Sequence, residues 1–226
     1  MITGNGKFFV LEGTNGCGKT TQQRLIGKAL IEAGYQVYLQ NEPSTDMPIG
    51  KLLRKKYYSG ERKCDITLSN LLIAADRYEQ TLESTIPMLN KNINVIQSRN
   101  FMSSMSIAYA DNCITENPKN ITNLIDYIYS KNIDTVKILR PHAILWIDVD
   151  IANIRERIES LGESHKDIYE SDSYLRYSRK GYEYSAHFLK DHGFDVYQIN
   201  GNLSQGAVTQ AILDIIIPML ESKGED

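Results

Sequence analysis

The eight residues Gly13 to Thr20, GTNGCGKT, fill the pattern G-x-x-x-x-G-K-[ST] without a gap. In a loop of this composition successive main-chain N–H groups curl around a polyphosphate, and the glycines let the backbone come close to it. The lysine reaches the β and γ oxygens, and the last hydroxyl ligates Mg²⁺. Such a match carries weight only in the right context. Upstream lies the apolar run KFFVLE; downstream, TTQQRLIGKALIEAG sets Leu25, Ile26, Ala29, Leu30 and Ala33 on one helical face and stops at Gly34. Strand, glycine loop and helix follow in the order a phosphate-binding loop needs, which an ordinary Gly-rich turn does not require.

The rest of the chain continues the alternation. Strands are expected at Phe8–Glu12, Gln36–Gln40, Asn94–Gln97, Ala143–Val149 and Asp195–Ile199. Helices are expected at Lys19–Ala33, Ile49–Tyr58, Leu68–Leu89, Ile121–Tyr129, Ile151–Leu161, Ser173–Asp191 and Ser204–Leu220. Strand-helix alternation favours an α/β fold whose largely parallel sheet is covered on both faces. Asn112 to Asn120, NCITENPKN, is polar and holds Pro118, and reads as a surface loop. Gly162 to Ser173, GESHKDIYESDS, joins two helices without a strand and carries many charges, as a lid over a site would.

With 226 residues, 42% of them hydrophobic, the chain can core one α/β domain, residues 1–226, with a mobile cap. A net charge of −3 and the absence of a sustained basic run argue against a nucleic-acid or membrane-surface role. The densest basic stretch, Lys51 to Lys63, reads as a solvated helix face. Cys17, Cys64 and Cys113 are odd in number and show no metal-ligand spacing, so a reducing compartment, the cytoplasm, is expected. Cys17 stands at a helix N-terminus, where a small loop residue is the simpler role. No signal peptide or membrane span is read from the sequence.

In open parallel sheets ligands gather at the carboxyl ends of the strands. There the chain carries NEPS after the second strand, SRN after the third and IDVD at the fourth, with AADRYEQ inside the long middle helix. Arg77 and Arg99 are thereby expected to face the same crevice as Lys19. The guanidinium fork suits bidentate phosphate contacts, so a second anionic substrate is implied. Phosphoryl transfer asks mainly for positioning and charge cancellation, which arginines and a water-excluding lid supply.

The succession FFVLEGTNGCGKTTQ, NEPS with PIGKLLR, LLIAADRYEQ, NVIQSRNFMSS, RPHAILWIDV and DIYESDSYLRYSRKGYEYSA resembles the thymidylate kinases in order and spacing, from about Phe8 to Ala186. The resemblance implies a P-loop NTPase fold with five parallel strands and a short lid. It also implies a homodimer, and transfer of the ATP γ-phosphoryl group, with Mg²⁺, to a deoxynucleoside monophosphate, dTMP by default. By position it implies that Gly13, Thr14, Asn15, Gly16, Cys17, Gly18, Lys19, Thr20, Thr21 and Lys166 bind ATP. Thr20 would ligate the metal, with Glu12 a second candidate, and Lys19, Arg99 and Arg157 would act in catalysis. The acceptor would be met by Glu42, Pro43, Arg54, Ile73, Arg77, Arg99, Ser103, Tyr109 and Tyr169, with Glu170 beside Tyr169 in the lid.

Three positions depart from the family pattern. Asn15 stands where the loop usually has an acid, Ser98 where an aspartate usually precedes the arginine, and Ile73 where a phenylalanine usually stacks on thymine. Tyr109 lies two residues later than the aromatic that abuts the deoxyribose, and is either shifted by an insertion or part of the core. Glu12, Asp148 and Glu42 remain as carboxylates at strand ends, for the metal or as caps and loop acceptors. The departures leave open a kinase for dUMP or a 5-substituted relative, and a nucleotide-binding protein without kinase activity.

Overall fold

Strands β1 (Phe8–Glu12), β2 (Val37–Asn41), β3 (Asn94–Ser98), β4 (Ala143–Asp148) and β5 (Val196–Asn200) form one sheet in the order β2-β3-β1-β4-β5, and every pairing is parallel. The computed structural model describes residues 2–57, 66–115, 121–160 and 171–222. The helices are α1 (Lys19–Glu32), α2 (Pro48–Tyr57), α3 (Ile66–Gln80), α4 (Ile86–Asn90), α5 (Phe101–Ile114), α6 (Ile121–Ser130), α7 (Ile151–Ser160), α8 (Asp172–Asp191) and α9 (Gln205–Glu221). The expected α/β architecture with a five-stranded parallel sheet is thus present, and each strand end falls within one residue of its expected place.

Both faces of the sheet are packed, which is why its central strands read as continuous apolar runs. On one side Phe9, Leu11, Leu145 and Ile147 meet Ile26 and Leu30 of α1 and Val208 and Ile212 of α9. On the other, Ile144 and Trp146 meet Met102 and Met105 of α5 and Tyr182 and Leu189 of α8, while Phe8 and Val10 pack near Leu89. Alternate residues of β1 and β4 therefore serve opposite layers. The arrangement gathers the turns after β1, β3 and β4 along one edge.

Two helical expectations are corrected. The sequence predicts no helix over residues 101–114 and a loop at Asn112 to Asn120, yet α5 spans Phe101–Ile114; residues 116–120 lie outside the described ones. Buried positions recur around nearly its whole circumference, Phe101 to Ser106 in succession, so it lacks the one-sided pattern that announces a surface helix. Its closest neighbour is α8, where a Cβ on Gly181 would meet the Ser106 carbonyl oxygen at 2.8 Å. The expected helix Leu68–Leu89 is divided into α3, a π turn at Thr81–Thr85, and α4. Pro87 in the first turn of α4 brings no N–H to the ladder and crowds the carbonyl a turn back, and the wider turn absorbs it. A second π turn, Lys131–Thr135, follows α6.

Of the lid expected at 162–173, residues 162–170 lie outside the described ones, and Ser171 caps α8 by accepting from the Tyr174 N–H at 3.4 Å. No helix among the described residues is long and apolar enough to cross a membrane.

Candidate active site

The loop between β1 and α1 is built on backbone that side chains would block. Gly13 has φ +145°, and a Cβ there would sit 2.6 Å from the Ile147 carbonyl oxygen and 2.7 Å from Cys17 Sγ. Gly18, at φ 101°, is the N-cap of α1 and offers no side-chain cap, so the first N–H groups of the helix remain directed at whatever occupies the loop. Lys19 is only 7% exposed. Its Nζ donates to the carbonyls of Gly13 and Thr14, both at 2.7 Å, and approaches Cys17 Sγ at 3.5 Å. Burial, followed by the nearby charge of Arg99, lowers its pKa to about 8. A buried ammonium resting on neutral carbonyls suits an incoming polyphosphate. Thr20 and Thr21 are exposed at the helix start, and Asn15 and Gly16 are open at the loop crest.

Two further cations border this loop. Arg157 on α7 donates to the Cys17 carbonyl at 3.2 Å and to the Gly201 carbonyl at 2.7 Å, tying the loop to the β5–α9 turn. Arg99 directly follows β3 and takes a left-handed backbone, φ 72°, while its N–H donates to the Leu11 carbonyl at 2.9 Å. Its guanidinium reaches Asn15 Oδ1 and, at 3.3 Å, Ser103 Oγ. A non-glycine residue in that conformation is costly, on the order of 1 kcal/mol, and persists where the surroundings demand it. Asn15, one of the departures from the family pattern, thus touches the arginine directly through a neutral amide.

Glu12 lies beneath this floor, fully buried. Oε1 accepts from the N–H groups of Asn100 at 2.8 Å and Ser103 at 3.1 Å, and Oε2 from the Ser103 hydroxyl and, at 3.2 Å, the Tyr182 hydroxyl. Burial raises its pKa, opposed chiefly by the Ser103 hydrogen bond and by Arg99. With about four acceptor sites on a carboxylate all directed at protein donors, Glu12 pins the start of α5 to β1 and leaves Thr20 as the metal candidate. Asp148 is similarly engaged, accepting from Arg179 at 2.6 and 2.9 Å and from Gln198 at 3.0 Å. Among the described residues no cluster of three or more His, Cys, Asp or Glu could hold a metal ion.

A second cluster lies beyond β3. Arg77 is 2% exposed and grips Glu42 with Nε at 2.7 Å and with its second nitrogen; it also donates to Asn132 Oδ1 and, at 3.1 Å, to Ser104 Oγ. Glu42 is pushed up to about 7 by burial, against the pull of Arg77. The Glu42–Pro43 peptide is cis. Arg54 donates to the Ser44 carbonyl at 3.0 Å and to the Pro43 carbonyl, and Asp76 accepts from the Ser44 N–H at 3.0 Å. Gln97 Nε2 links the two clusters, donating to the Arg99 carbonyl at 2.8 Å and to Glu42 at 3.4 Å. Ser98 is buried and its carbonyl accepts from the Glu42 N–H at 3.0 Å.

The sequence-expected residues therefore divide. Asn15, Lys19, Arg99, Ser103 and Arg157 meet around the loop, while Glu42, Pro43, Arg54 and Arg77 form the second cluster. Ile73 is half-buried on α3. Tyr109 lies on α5, its ring 6.0 Å from that of Tyr184 on α8. Lys166, Tyr169 and Glu170 lie outside the described residues, as does Cys64. Tyr182, Asn132, Ser104, Gln97 and Asn100 were not singled out from the sequence. For Asn132, 55 positions from Arg77 and inside a π turn, no local signal marks it. Gln97, a polar residue within a buried strand, is the one that could have been found.

The thymidylate kinase family model matches residues 11–212. A probable thymidylate kinase of Methanococcus maripaludis is 34% identical over 195 residues, covering 84% of this chain and 85% of that one. A probable thymidylate kinase of Pyrococcus horikoshii is 38% identical over 109 residues, 46% of this chain; the match spans about half the length of that relative, 53%. Among solved structures, thymidylate kinase from Candida albicans superposes with a TM-score of 0.76 at 20% identity, covering 96% of this chain and 94% of that one. Phosphate-binding loop, sheet order and family match agree: the chain belongs to the thymidylate kinase family.

Proposed function

We propose that this chain is a nucleoside monophosphate kinase that transfers the γ-phosphoryl group of ATP to a deoxynucleoside monophosphate, dTMP first. The observation that carries the reading is the grouping of Lys19, Arg99 and Arg157 around the open N-terminus of α1, where Lys19 and Arg157 donate to main-chain carbonyls of the loop and the Arg99 guanidinium reaches Asn15 and Ser103. Three cations converging on one helix N-terminus can share a polyphosphate, and positioning with charge cancellation is the main requirement of phosphoryl transfer. The loop fits a polyphosphate, since Lys19 Nζ rests there on two carbonyls and the Cys17 sulfur rather than on a carboxylate, and the backbone at Gly13 is packed too closely on Ile147 and Cys17 to carry a side chain. Thr20 would hold Mg²⁺, whose chemistry when bound is to offset charge on the phosphate oxygens.

Arg99 is assigned to the acceptor phosphate or the transferring group. Arg77, already neutralised by Glu42, forms with it a polar wall suited to the acceptor base. Ile73 supplies apolar contact to that base without a π face, so dUMP or a 5-substituted relative is the next acceptor in line. We read residues 1–226 as one kinase domain with its lid at 162–173, working in the cytoplasm as its free Cys17 and Cys113 suit. A homodimer is favoured by exposed apolar residues on one face of α3 and the turn after it, Leu68, Leu71, Tyr78 and Leu82.

The test is a phosphorylation assay with ATP and Mg²⁺ against dTMP, dUMP, dCMP, dAMP and dGMP. Transfer to dTMP or dUMP ahead of the purines is expected. A purine preference would overturn the acceptor assignment, and ATP binding without transfer to any of them would promote the non-catalytic alternative.

A further inference from the structure

Tyr182 lies in the middle of α8, far along the sequence from the phosphate-binding loop, yet its hydroxyl reaches the floor of the site. The residue is 1% exposed. The oxygen is 2.8 Å from Ser103 Oγ and 3.2 Å from Glu12 Oε2. Ser103 Oγ has one proton and two lone pairs, and the geometry assigns all three. Its proton goes to Glu12 Oε2, and it accepts from Arg99 at 3.3 Å. The Tyr182 hydroxyl, which has no acceptor closer than the remaining Ser103 lone pair at 2.8 Å, shares its one proton between that lone pair and Glu12 Oε2 at 3.2 Å. Burial, then the charge of Glu12, raises the Tyr182 phenol, so this donor keeps its proton throughout the working range.

We propose that Tyr182 is a positioning residue for phosphoryl transfer, acting through Ser103 to hold the Arg99 guanidinium against Asn15 of the loop; this rests on the kinase reading above. With both Ser103 lone pairs directed by fixed donors, the hydroxyl cannot rotate to offer Arg99 its hydrogen. The arginine is then held from two sides, by the amide of Asn15 and by the Ser103 oxygen, on a backbone that is itself in the left-handed region. Removing the phenol oxygen frees one Ser103 lone pair and loosens that orientation. Positioning of this kind acts on the rate more than on ATP binding. The ring is a separate matter: it stacks on Trp146, with centroids 6.4 Å apart and planes 16° apart, and a phenylalanine would keep that packing.

The experiment compares wild type, Tyr182→Phe, Ser103→Ala and the double variant, with Ser106→Ala as control. Ser106 joins α5 to α8 through Ser178 at 2.9 Å without touching Arg99, so its loss probes the helix pairing alone. Steady-state rates with ATP and dTMP and calorimetric dTMP binding are read for each. For Tyr182→Phe, kcat is expected to fall by about five- to tenfold, the worth of one buried hydrogen bond, with KM for ATP unchanged. The same change is expected to have no further effect in the Ser103→Ala background, and Ser106→Ala is expected to keep the wild-type kcat. A wild-type kcat in Tyr182→Phe, the same proportional loss without Ser103, or an equal loss in Ser106→Ala would each overturn the inference. If wild type neither binds dTMP nor transfers phosphate to any deoxynucleoside monophosphate, the kinase reading falls and this inference with it.

Discussion

Arg77 and Arg99 look alike in the sequence, each an arginine close to a strand end or on a facing helix, and the fold gives them opposite situations. Arg77 is sealed in the interior with its charge met by Glu42 and its remaining hydrogens by Asn132 and Ser104. Arg99 is only partly buried, holds a left-handed backbone and rests on the side chains of Asn15 and Ser103. A buried, self-compensated ion pair chiefly preserves shape, because separating its members leaves a desolvated charge behind. A partly buried guanidinium beside the loop can still meet a ligand. The difference teaches that the same residue type is an interior ion pair on one side of β3 and a partly open cation beside the loop on the other, which is what the proposed roles rest on.

The largest effect expected is on the loop side. Lys19→Met should lower transfer on the order of 10³-fold, since it removes a charge aimed at the phosphates, and a rate within tenfold of wild type at saturating ATP would break the assignment. Next comes the direct contrast between the arginines. Arg77→Ala should destabilise the protein by about 3–5 kcal/mol in denaturant titration because Glu42 is left alone in the interior. Arg99→Gly should instead be neutral or gain about 1 kcal/mol by relieving the positive φ, while losing most of its activity. Equal stability losses in the two variants would erase the distinction.

A pH dependence sharpens it further. Lys19 has its pKa lowered from 10.5 to about 8 by burial, so between those values the folded chain carries fewer protons than the unfolded one. The cost of holding the buried ammonium is present below pH 8 and is relieved as pH rises toward 10.5. Without nucleotide, this group alone should raise stability across that window by about 3 kcal/mol. Lys19→Met, measured by the same chemical denaturation series, should lack this component and be the more stable protein at pH 7. The smallest effect concerns the acceptor base. Ile73→Phe should shift preference toward dTMP over dCMP several-fold, worth about 1 kcal/mol, as read from the ratio of kcat/KM values; no change would place the base elsewhere.

How much was legible follows from where the signal resides. The loop Gly13–Thr20, its flanking strand and helix, and the alternation of elements are local patterns, and they located all five strands to within a residue. Helix α5 was missed because burial on every side removes the periodicity that marks a helix against solvent. Arg99 was legible because it directly follows a strand, and strand ends converge in a parallel sheet. The different settings of Arg99 and Arg77 were not, because they turn on Asn132, Ser104 and Tyr182, which lie on elements distant in sequence.

By itself the sequence determined that a loop of the G-x-x-x-x-G-K-[ST] pattern heads a parallel α/β sheet, since glycine placement and hydrophobic period are properties of short segments. Only the tertiary structure decided which carboxylates were already committed. Glu12 is spent on the start of α5 and on Tyr182, Glu42 on Arg77, and Asp148 on Arg179. The physical reason is that a charge's availability depends on what desolvates and neutralises it, and those partners come from α3, α5 and α8, brought to the strand ends only when the layers close on the sheet.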